Sequence, residues 1–252
     1  MVKMRIIPLL LLKNGRLVKT VQFSGYRDVG DPVATAKIYD AQRADEMILL
    51  DIEASKENRG TLLNIVREVS GECFMPLGVG GGIRALGDIR LLLQSGADKV
   101  VINTAAVEDP SLVRKAAKKF GCSTIVVSID YKKNSAGRPE VFVRGGSKST
   151  GLDPVEWAIK VVAEGAGEIM LTSIERDGMM RGIDLDIIRT VADLVSVPVI
   201  CSGGVGTLED FKRGFIDGHV SAVGAGSIFH FTDQSIIKTR RYLVGEGINV
   251  RR

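Results

Sequence analysis

Two similar stretches of sequence decide the predicted fold: residues 44–52 read ADEMILLDI and residues 166–174 read AGEIMLTSI. A shift of about 122 residues aligns them, with identities at Ala44, Glu46, Leu49 and Ile52. The same shift places the glycine pair 81–82 on the pair 203–204, and Val101 on Val223. A constant shift across three separate segments indicates two similar halves, although a match over so few positions also arises by chance.

Short apolar segments alternate with longer amphipathic ones along the whole chain, and no Ser/Pro-rich linker separates them. The pattern predicts strands at 5–11, 47–52, 75–79, 99–103, 124–130, 168–173, 199–201 and 221–224. It predicts helices at 32–43, 58–70, 86–95, 110–119, 154–164, 185–194, 208–216 and 234–245. Eight such units indicate an α/β fold, a single-domain (β/α)8 (TIM) barrel over residues 1–252, with half-barrels of about 1–122 and 123–252. An open doubly wound sheet is the alternative, and the repeat favours the barrel.

Composition excludes several classes of protein. The 252 residues are 45% hydrophobic and 25% charged, which is typical of a globular protein with one large core. The net charge of +4 is dispersed, so nucleic acid is not an expected partner. Three cysteines without CxxC spacing and two histidines argue against a disulfide framework and a metal site, and we expect no cofactor. The apolar run at 6–12 is too short to span a bilayer, and a cytoplasmic protein with no membrane partner is expected.

Two glycine-rich segments follow predicted strands and are candidate phosphate sites. The first site comprises Gly81 and Gly82 together with Asn103 and Thr104 after the fourth strand. The second site comprises, after the seventh and eighth strands, Gly203, Gly204, Gly226 and Ser227. Residues without Cβ allow backbone N–H groups to converge on an anion. Two equivalent sites across one barrel mouth would suit a ligand with a phosphate at each end, whereas tight turns are the alternative role of these glycines.

Several polar residues are also placed at the predicted mouth. Asp130 ends the fifth strand, and we expect it to be catalytic or to contact a ligand. Asp177 and Gly178 follow the sixth strand and join the candidate phosphate-binding residues, although loop capping is the alternative role for such carboxylates. Residues 25–30 and 132–149 are polar and glycine-rich, and we expect them to form loops over the mouth that could act as lids.

Nine motifs are spread along the chain: RIIP at 5–8, LVK at 17–19, GDP at 30–32, LDI at 50–52, GGGI at 80–83, INTAA at 102–106, LTSI at 171–174, RDG at 176–178 and SGG at 202–204. Together they resemble a known family, the cyclase subunit of imidazole glycerol phosphate synthase (HisF), over essentially the whole chain. The resemblance implies a (β/α)8 barrel that receives ammonia from a HisH-like glutaminase subunit on its bottom face. It also implies chemistry at the top on a bisphosphate ribotide, which yields imidazole glycerol phosphate and an aminoimidazole carboxamide ribotide.

The family has a ring of four charged side chains at its ammonia entrance, and all four matching positions are occupied here. They are Arg5, Glu46, Lys99 and Glu168. The resemblance implies that they form the gate, with a dry interior of small residues above them. A purely structural layer of ion pairs is the alternative role.

One position departs from the family pattern. The family's acid–base pair is an Asp at the end of the first strand and another at the end of the fifth; Asp130 matches the second, but Leu11 occupies the first. Leucine cannot transfer a proton, and loss of a positioned acid or base typically costs about 10²- to 10⁴-fold in rate. Asp51 and Lys19, on the substrate side, are the residues that could replace the missing Asp, but neither occupies its position in the family pattern.

The leucine run after residue 8 and the segment ECFMPL at 72–77 resemble one branch of the family, the HisF-like amidation proteins (WbuZ type). That resemblance implies a heterodimer with a glutaminase and delivery of ammonia to an ATP-dependent amidotransferase, which converts an acetamido group on a nucleotide-linked sugar to an acetamidino group. Three functions therefore stay open: ammonia delivery for sugar amidation, the histidine-pathway cyclase, and a non-catalytic scaffold that binds a phosphorylated small molecule.

Overall fold

Short buried strands alternate with amphipathic helices throughout the computed structural model, which describes residues 3–251. The strands are β1 Arg5–Lys13, β2 Arg16–Val21, β3 Ser24–Gly30, β4 Met47–Asp51, β5 Leu77–Gly80, β6 Lys99–Ile102, β7 Ile125–Lys133, β8 Pro139–Val143, β9 Lys148–Ser149, β10 Glu168–Ser173, β11 Val199–Ser202 and β12 Ala222–Ala225. The helices are α1 Pro32–Ala41, α2 Leu63–Glu72, α3 Leu86–Gln94, α4 Thr104–Glu108, α5 Ser111–Phe120, α6 Pro154–Ala163, α7 Leu185–Leu194, α8 Leu208–Ile216, α9 Ser227–Phe231 and α10 Ile236–Gly245.

Eight of these strands form a closed parallel barrel. In order around the barrel they are β1, β4, β5, β6, β7, β10, β11 and β12, and β1 pairs in parallel with both β4 and β12, which closes the sheet. Closure leaves no barrel strand with a free edge. The predicted single-domain (β/α)8 barrel is therefore confirmed.

The two halves repeat each other at the level of whole helices. A shift of about 122 residues carries α1 onto α6, α2 onto α7 and α3 onto α8, with the same first and last positions in each pair. The helix starts repeat as well: Asp31 caps α1 and Asp153 caps α6, each followed by proline. An aspartate acceptor followed by the fixed φ of proline starts a helix in the same way in both halves.

The predictions were wrong about both segments expected to be loops. Residues 25–30 lie in β3, which pairs with β2 as a hairpin on β1, and much of 132–149 forms β8 and β9, which extend β7 as an antiparallel meander. Most predicted strand boundaries also differ, by one to three residues. The strand predicted from residue 75 begins at Leu77, because the N–H groups of Phe74 and Met75 donate to the Asp40 side chain instead of to a neighbouring strand. The short helices α4 and α9 were not predicted.

Two apolar regions stabilise the barrel. The larger lies between the sheet and the helices and includes the buried Trp157 of α6. The smaller fills the barrel interior. No helix within residues 3–251 combines the length and the apolar character needed to cross a lipid bilayer.

Candidate active site and ion-pair ring

A cavity of about 150 Å³ opens at the top of the barrel, where the strands end. One wall is apolar and is formed by Leu9, Leu11 and Leu50 of β1 and β4. The opposite wall is polar and includes Ser128, Asp130, Thr172 and Ser202. The cavity brings together every mouth residue predicted from the sequence: Leu11, Lys19, Asp51, Gly81, Gly82, Asn103, Thr104, Asp130, Asp177, Gly178, Gly203, Gly204, Gly226 and Ser227.

Asp130 is held on the polar wall by two donors. The Asn103 amide nitrogen lies 3.0 Å from one carboxylate oxygen, and the Ser128 hydroxyl lies 3.1 Å from the other. Burial raises the pKa of Asp130 to about 7; the Ser128 hydrogen bond opposes this increase and the charge of Asp177 adds to it. A carboxyl group with this pKa can both accept and donate a proton near neutral pH, as a general acid–base residue must.

Leu11 faces the same cavity from β1, where it pairs with Leu50 of β4 and Val18 of β2. The position therefore has the location that the resemblance assigns to a catalytic Asp, without a group that can transfer a proton. The wall around it is also apolar, so a carboxylate there would have few polar neighbours on its own side of the cavity.

Asp51 does not offer a free carboxylate in place of the missing one. Its side chain is 0% exposed and is paired with the Arg59 guanidinium at 2.6 Å. The N–H groups of Glu53 and Ala54 also donate to it, at 3.3 and 3.2 Å. These contacts use both carboxylate oxygens of Asp51 and make it an organiser of the loop after β4.

Lys19 reaches the cavity from β2 and is buried. Its ammonium lies 3.4 Å from Asp177, whose other carboxylate oxygen accepts a hydrogen bond of 2.8 Å from the Thr20 hydroxyl. Gly178 approaches the same hairpin closely: a Cβ on it would lie 2.2 Å from the carbonyl oxygen of Thr20. The hairpin and the loop after β10 are therefore fixed against each other across the mouth.

The glycines of the two candidate phosphate sites have a structural role of their own. A Cβ on Gly82 would lie 2.2 Å from the Arg59 carbonyl oxygen, and one on Gly204 would lie 2.1 Å from the Gly182 carbonyl oxygen. Both residues also have positive φ, at 68° and 100°. Close backbone packing alone would therefore require glycine at these positions, whether or not an anion binds.

The hairpin of β2 and β3 meets the β7–β9 meander above the cavity. Phe23, in the turn of the hairpin, contacts Gly146 of the meander: a Cβ on that glycine would lie 3.0 Å from the Phe23 ring. On the other side Tyr26 donates to Glu53 at 2.9 Å, and the Lys13 ammonium lies 3.2 Å from the Tyr26 ring centroid. A β-hairpin and a β-meander, and not irregular loops, therefore flank the mouth.

The ion-pair ring, formed by Arg5, Glu46, Lys99 and Glu168, lies at the bottom of the barrel. Arg5 is 2.7 Å from Glu46 and also pairs with Glu168. Lys99 is 2.8 Å from Glu46 and 2.7 Å from Glu168, so each cation bridges both carboxylates. Burial opposes the charge of Arg5, but the hydrogen bonds and charges of the two glutamates outweigh it and raise the pKa of Arg5. The glutamate side chains are 3% and 4% exposed, whereas the cations retain about a fifth of their exposure.

The interior between the ring and the cavity is apolar, but the expectation of small residues was wrong. Its side chains are mostly branched or long: Ile7, Ile48, Val101, Val126, Met170, Ile200 and Ala222, with Leu9 and Leu50 packed against them. Glycines occur at 78 and 224, and the side chains of Ile48 and Leu9 occupy the space beside them. The small residues on β5 and β12 thus accommodate large neighbours within a packed core.

The hydroxyl groups of the polar wall were not predicted from the sequence. Ser128 lies two positions before Asp130 on β7, and the alternation of side chains along a strand could have identified it as a neighbour. Thr172 and Ser202 lie within 2.7 Å of each other but come from strands 30 residues apart, so no local signal connects them. Phe23 and Tyr26 line the cavity only because the hairpin folds back over it.

A comparison with known protein families agrees with this architecture. The family model described as Histidine biosynthesis protein matches residues 5–235, which include all eight barrel strands, the ion-pair ring and the cavity residues. The chain therefore belongs to the histidine biosynthesis protein family.

Proposed function

We propose that the chain is the barrel subunit of a glutamine amidotransferase complex. In this proposal a glutaminase subunit docks on the bottom face as a heterodimer, and ammonia passes the ion-pair ring and leaves at the top. The ammonia serves the amidation of a surface-polysaccharide sugar, from acetamido to acetamidino, by an ATP-dependent partner enzyme. The observation that carries the proposal is Leu11, which faces the cavity at the position where the resemblance places the other catalytic Asp of the cyclase, the partner of Asp130.

Exposed apolar surface beside the ring supports docking of a partner. Phe74 is 92% exposed, far more than any other large apolar side chain described. The Asp40 side chain fixes the backbone of this segment, since it accepts from the N–H groups of Phe74 and Met75 at 3.0 and 3.1 Å. The segment adjoins the ring, because the Pro76 carbonyl accepts from the N–H of Met47, the residue after Glu46. Aromatic side chains, phenylalanine among them, are enriched in protein interfaces.

The alternative function is the cyclase of histidine biosynthesis, which would act on a bisphosphate ribotide and ammonia. Asp130 favours it, because its raised pKa of about 7 suits proton transfer. The retention of glycine loops at both candidate phosphate sites favours it as well. The third alternative is a scaffold that binds a phosphorylated molecule and does not conduct ammonia. In that case the ion-pair ring would have a purely structural role.

Ammonium-dependent turnover of the bisphosphate ribotide by the isolated chain, measured beside Leu11→Asp, tests the proposal. We expect no turnover by the unchanged protein and measurable turnover by Leu11→Asp, since a second positioned carboxylate typically contributes about 10²- to 10⁴-fold. Leu11→Asn is the matched control: it has similar size and polarity but cannot exchange a proton. Turnover by the unchanged protein at ordinary enzymatic rates would reject amidation and establish the cyclase.

A further inference from the structure

Three polar side chains stand side by side on the wall of the cavity. Asp130 on β7 pairs with Thr172 on β10, and Thr172 pairs with Ser202 on β11, so the three residues form one row across adjacent strands. All three line the cavity, and the Thr172 and Ser202 hydroxyl groups lie 2.7 Å apart. We call these residues the polar row. It places carboxylate and hydroxyl oxygens at a single level of the barrel.

The polar row lies directly above the apolar interior. The residues two positions earlier on the same strands are Ser128, Met170 and Ile200, which pair with one another in the same way. Met170 and Ile200 belong to the interior core. The wall on the other side of the cavity is apolar, since Leu11 pairs there with Leu50. A small molecule that leaves the interior at the top therefore meets hydrogen-bonding side chains on the side of the polar row.

Asp130 differs from the other carboxylates of the cavity in its lack of a cation. Asp51 is paired with Arg59 at 2.6 Å, and Asp177 lies 3.4 Å from Lys19. No cationic side chain of residues 3–251 lies within ion-pair distance of Asp130, and its two hydrogen-bond donors are neutral side chains. A carboxylate accepts up to about four hydrogen bonds, so acceptor positions stay open. The ionised form of Asp130 would therefore be stabilised by a cation from outside the chain.

We infer that the polar row binds ammonium, which forms when ammonia leaving the interior takes a proton from Asp130. The lone pair of ammonia accepts the carboxyl proton: the O–H bond breaks, an N–H bond forms, and an ammonium carboxylate pair results without any further reactant. The N–H groups of ammonium can then donate to Asp130 and to the hydroxyl oxygens of Thr172 and Ser202. These oxygens keep free lone pairs, because they share a single hydrogen bond with each other.

The acidity of the carboxyl group favours this proton transfer. The pKa of Asp130 is about 7, and ammonia is a stronger base than the carboxylate of such a group. The charge of Asp177 contributes to this pKa, and that charge is itself paired with Lys19. Lys56, the other lysine that lines the described part of the cavity, pairs with Glu53 on the loop after β4.

Retention of ammonia at the mouth follows from its charge. The apolar side chains of the interior can pass a neutral molecule but do not stabilise an ion. Once protonated at the polar row, ammonia cannot return towards the ion-pair ring, so capture makes the transfer one-way. The inference rests on the proposed function for the supply of ammonia. It also gives Asp130 a use in a barrel where Leu11 stands at the position of the other acid–base residue.

Titration of Asp130 in the isolated chain tests the inference. NMR of isotope-labelled aspartate carboxyl groups follows the titration, and Asp130→Asn identifies the signal. Ammonium chloride should lower the midpoint by about one pH unit relative to tetramethylammonium chloride at the same ionic strength, because a bound cation favours the ionised carboxylate. Potassium chloride should lower it much less, since potassium donates no hydrogen bonds.

Two variants remove hydroxyl acceptors from the polar row. Thr172→Val and Ser202→Ala should each weaken ammonium binding by about five- to tenfold, as read from the concentration dependence of the Asp130 signal. Ser55→Ala is the matched control, because it removes a cavity hydroxyl from the loop after β4, the strand opposite β10 in the barrel. It should change binding by no more than about twofold. Ser202→Ala removes a single oxygen, so it keeps the test valid even if Thr172→Val fails to fold.

The same midpoint in ammonium and tetramethylammonium would overturn the inference, and so would equal effects of ammonium and potassium. Equal weakening by Ser55→Ala and Ser202→Ala would overturn the assignment to the polar row. The titration needs neither a glutaminase nor turnover, so its result is independent of the Leu11→Asp experiment. A negative titration leaves the amidation proposal standing, whereas turnover by the unchanged protein rejects that proposal whatever the titration shows.

Discussion

At the scale of single residues, the cavity combines two side chains that have opposite consequences for chemistry. Asp130 keeps a proton-transfer group on the polar wall, where Asn103 and Ser128 position it. Leu11, on the apolar wall, has no group that can transfer a proton. The identity of each residue could be read from the sequence, but the raised pKa of Asp130 could not, because it depends on burial and on the charge of Asp177 in the loop after β10.

Asp130→Asn should make the protein more stable than the unchanged chain at alkaline pH. The folded-state pKa of about 7 lies above the value of about 3.9 in an unfolded chain, so the protonated carboxyl favours folding. That contribution is fully present below about pH 4 and is lost as the pH rises through about 7. The difference in unfolding free energy between Asp130→Asn and the unchanged protein should therefore grow over this range, by about 2 to 4 kcal/mol, and then level off.

Urea unfolding at steps of about one pH unit measures this difference. Glu68→Gln is the control, because Glu68 is an exposed carboxylate on α2 outside any ion pair of the described residues, and it should show no such pH dependence. A constant difference between Asp130→Asn and the unchanged protein across the range would contradict the raised pKa.

At the scale of elements, the half-barrel repeat extends to the way in which helices begin. Asp88 of α3 accepts from the N–H groups of Arg84 and Ala85 at 2.8 and 2.9 Å. Asp210 stands at the equivalent position of α8 and accepts from the N–H groups of Gly206 and Thr207 at 3.0 and 2.9 Å. Each aspartate thus fixes the end of a glycine-rich loop, and only in the second half does a Thr207 hydroxyl complete the capping box.

Asp210→Ala should therefore cost more stability than Asp88→Ala. Asp210 is buried and accepts a third hydrogen bond of 3.0 Å from the Thr207 hydroxyl, whereas Ala85 offers none. We expect losses of about 2 kcal/mol for Asp210→Ala and about 1 kcal/mol for Asp88→Ala. Chemical denaturation of both variants and of the double variant checks this, and the two losses should add, since the caps share no contacts. Equal losses would show that the third hydrogen bond contributes nothing.

At the scale of the whole molecule, the barrel separates two polar regions by an apolar core. The ion-pair ring lies at the bottom, the cavity lies at the top, and branched side chains fill the space between them. The ring depends on tertiary structure alone: Arg5 and Glu168 are 163 residues apart in sequence. Two cations and two carboxylates balance one another there, so removal of one member leaves the remaining three with an unbalanced charge.

Lys99→Met tests the ring as a gate. The two glutamates would then share one cation, which should cost about 2 kcal/mol of stability, less than a fully buried pair because Lys99 keeps some exposure. If the ring conducts ammonia, product formed per glutamine hydrolysed by the assembled complex should fall, while ammonium-driven product formation should persist. Lys118→Met, an exposed lysine on α5, is the control for the loss of a positive charge. Unchanged coupling in folded Lys99→Met would favour a purely structural ring.

The sequence by itself determined the number and order of strand–helix units, the two halves, and the residues that gather at the mouth, because side-chain periodicity, helix caps and the parallel order of strands are set locally. It could not determine that residues 25–30 and 132–149 form hairpins, since their pairing partners lie outside each segment. Nor could it show that the interior is packed with branched side chains, or that Asp51 is enclosed by Arg59. Tertiary structure alone decided that the backbone N–H of Arg144 contacts Thr104 of one candidate phosphate site and that Lys19 lies beside Gly226 of the other, because segments distant in sequence fold together there.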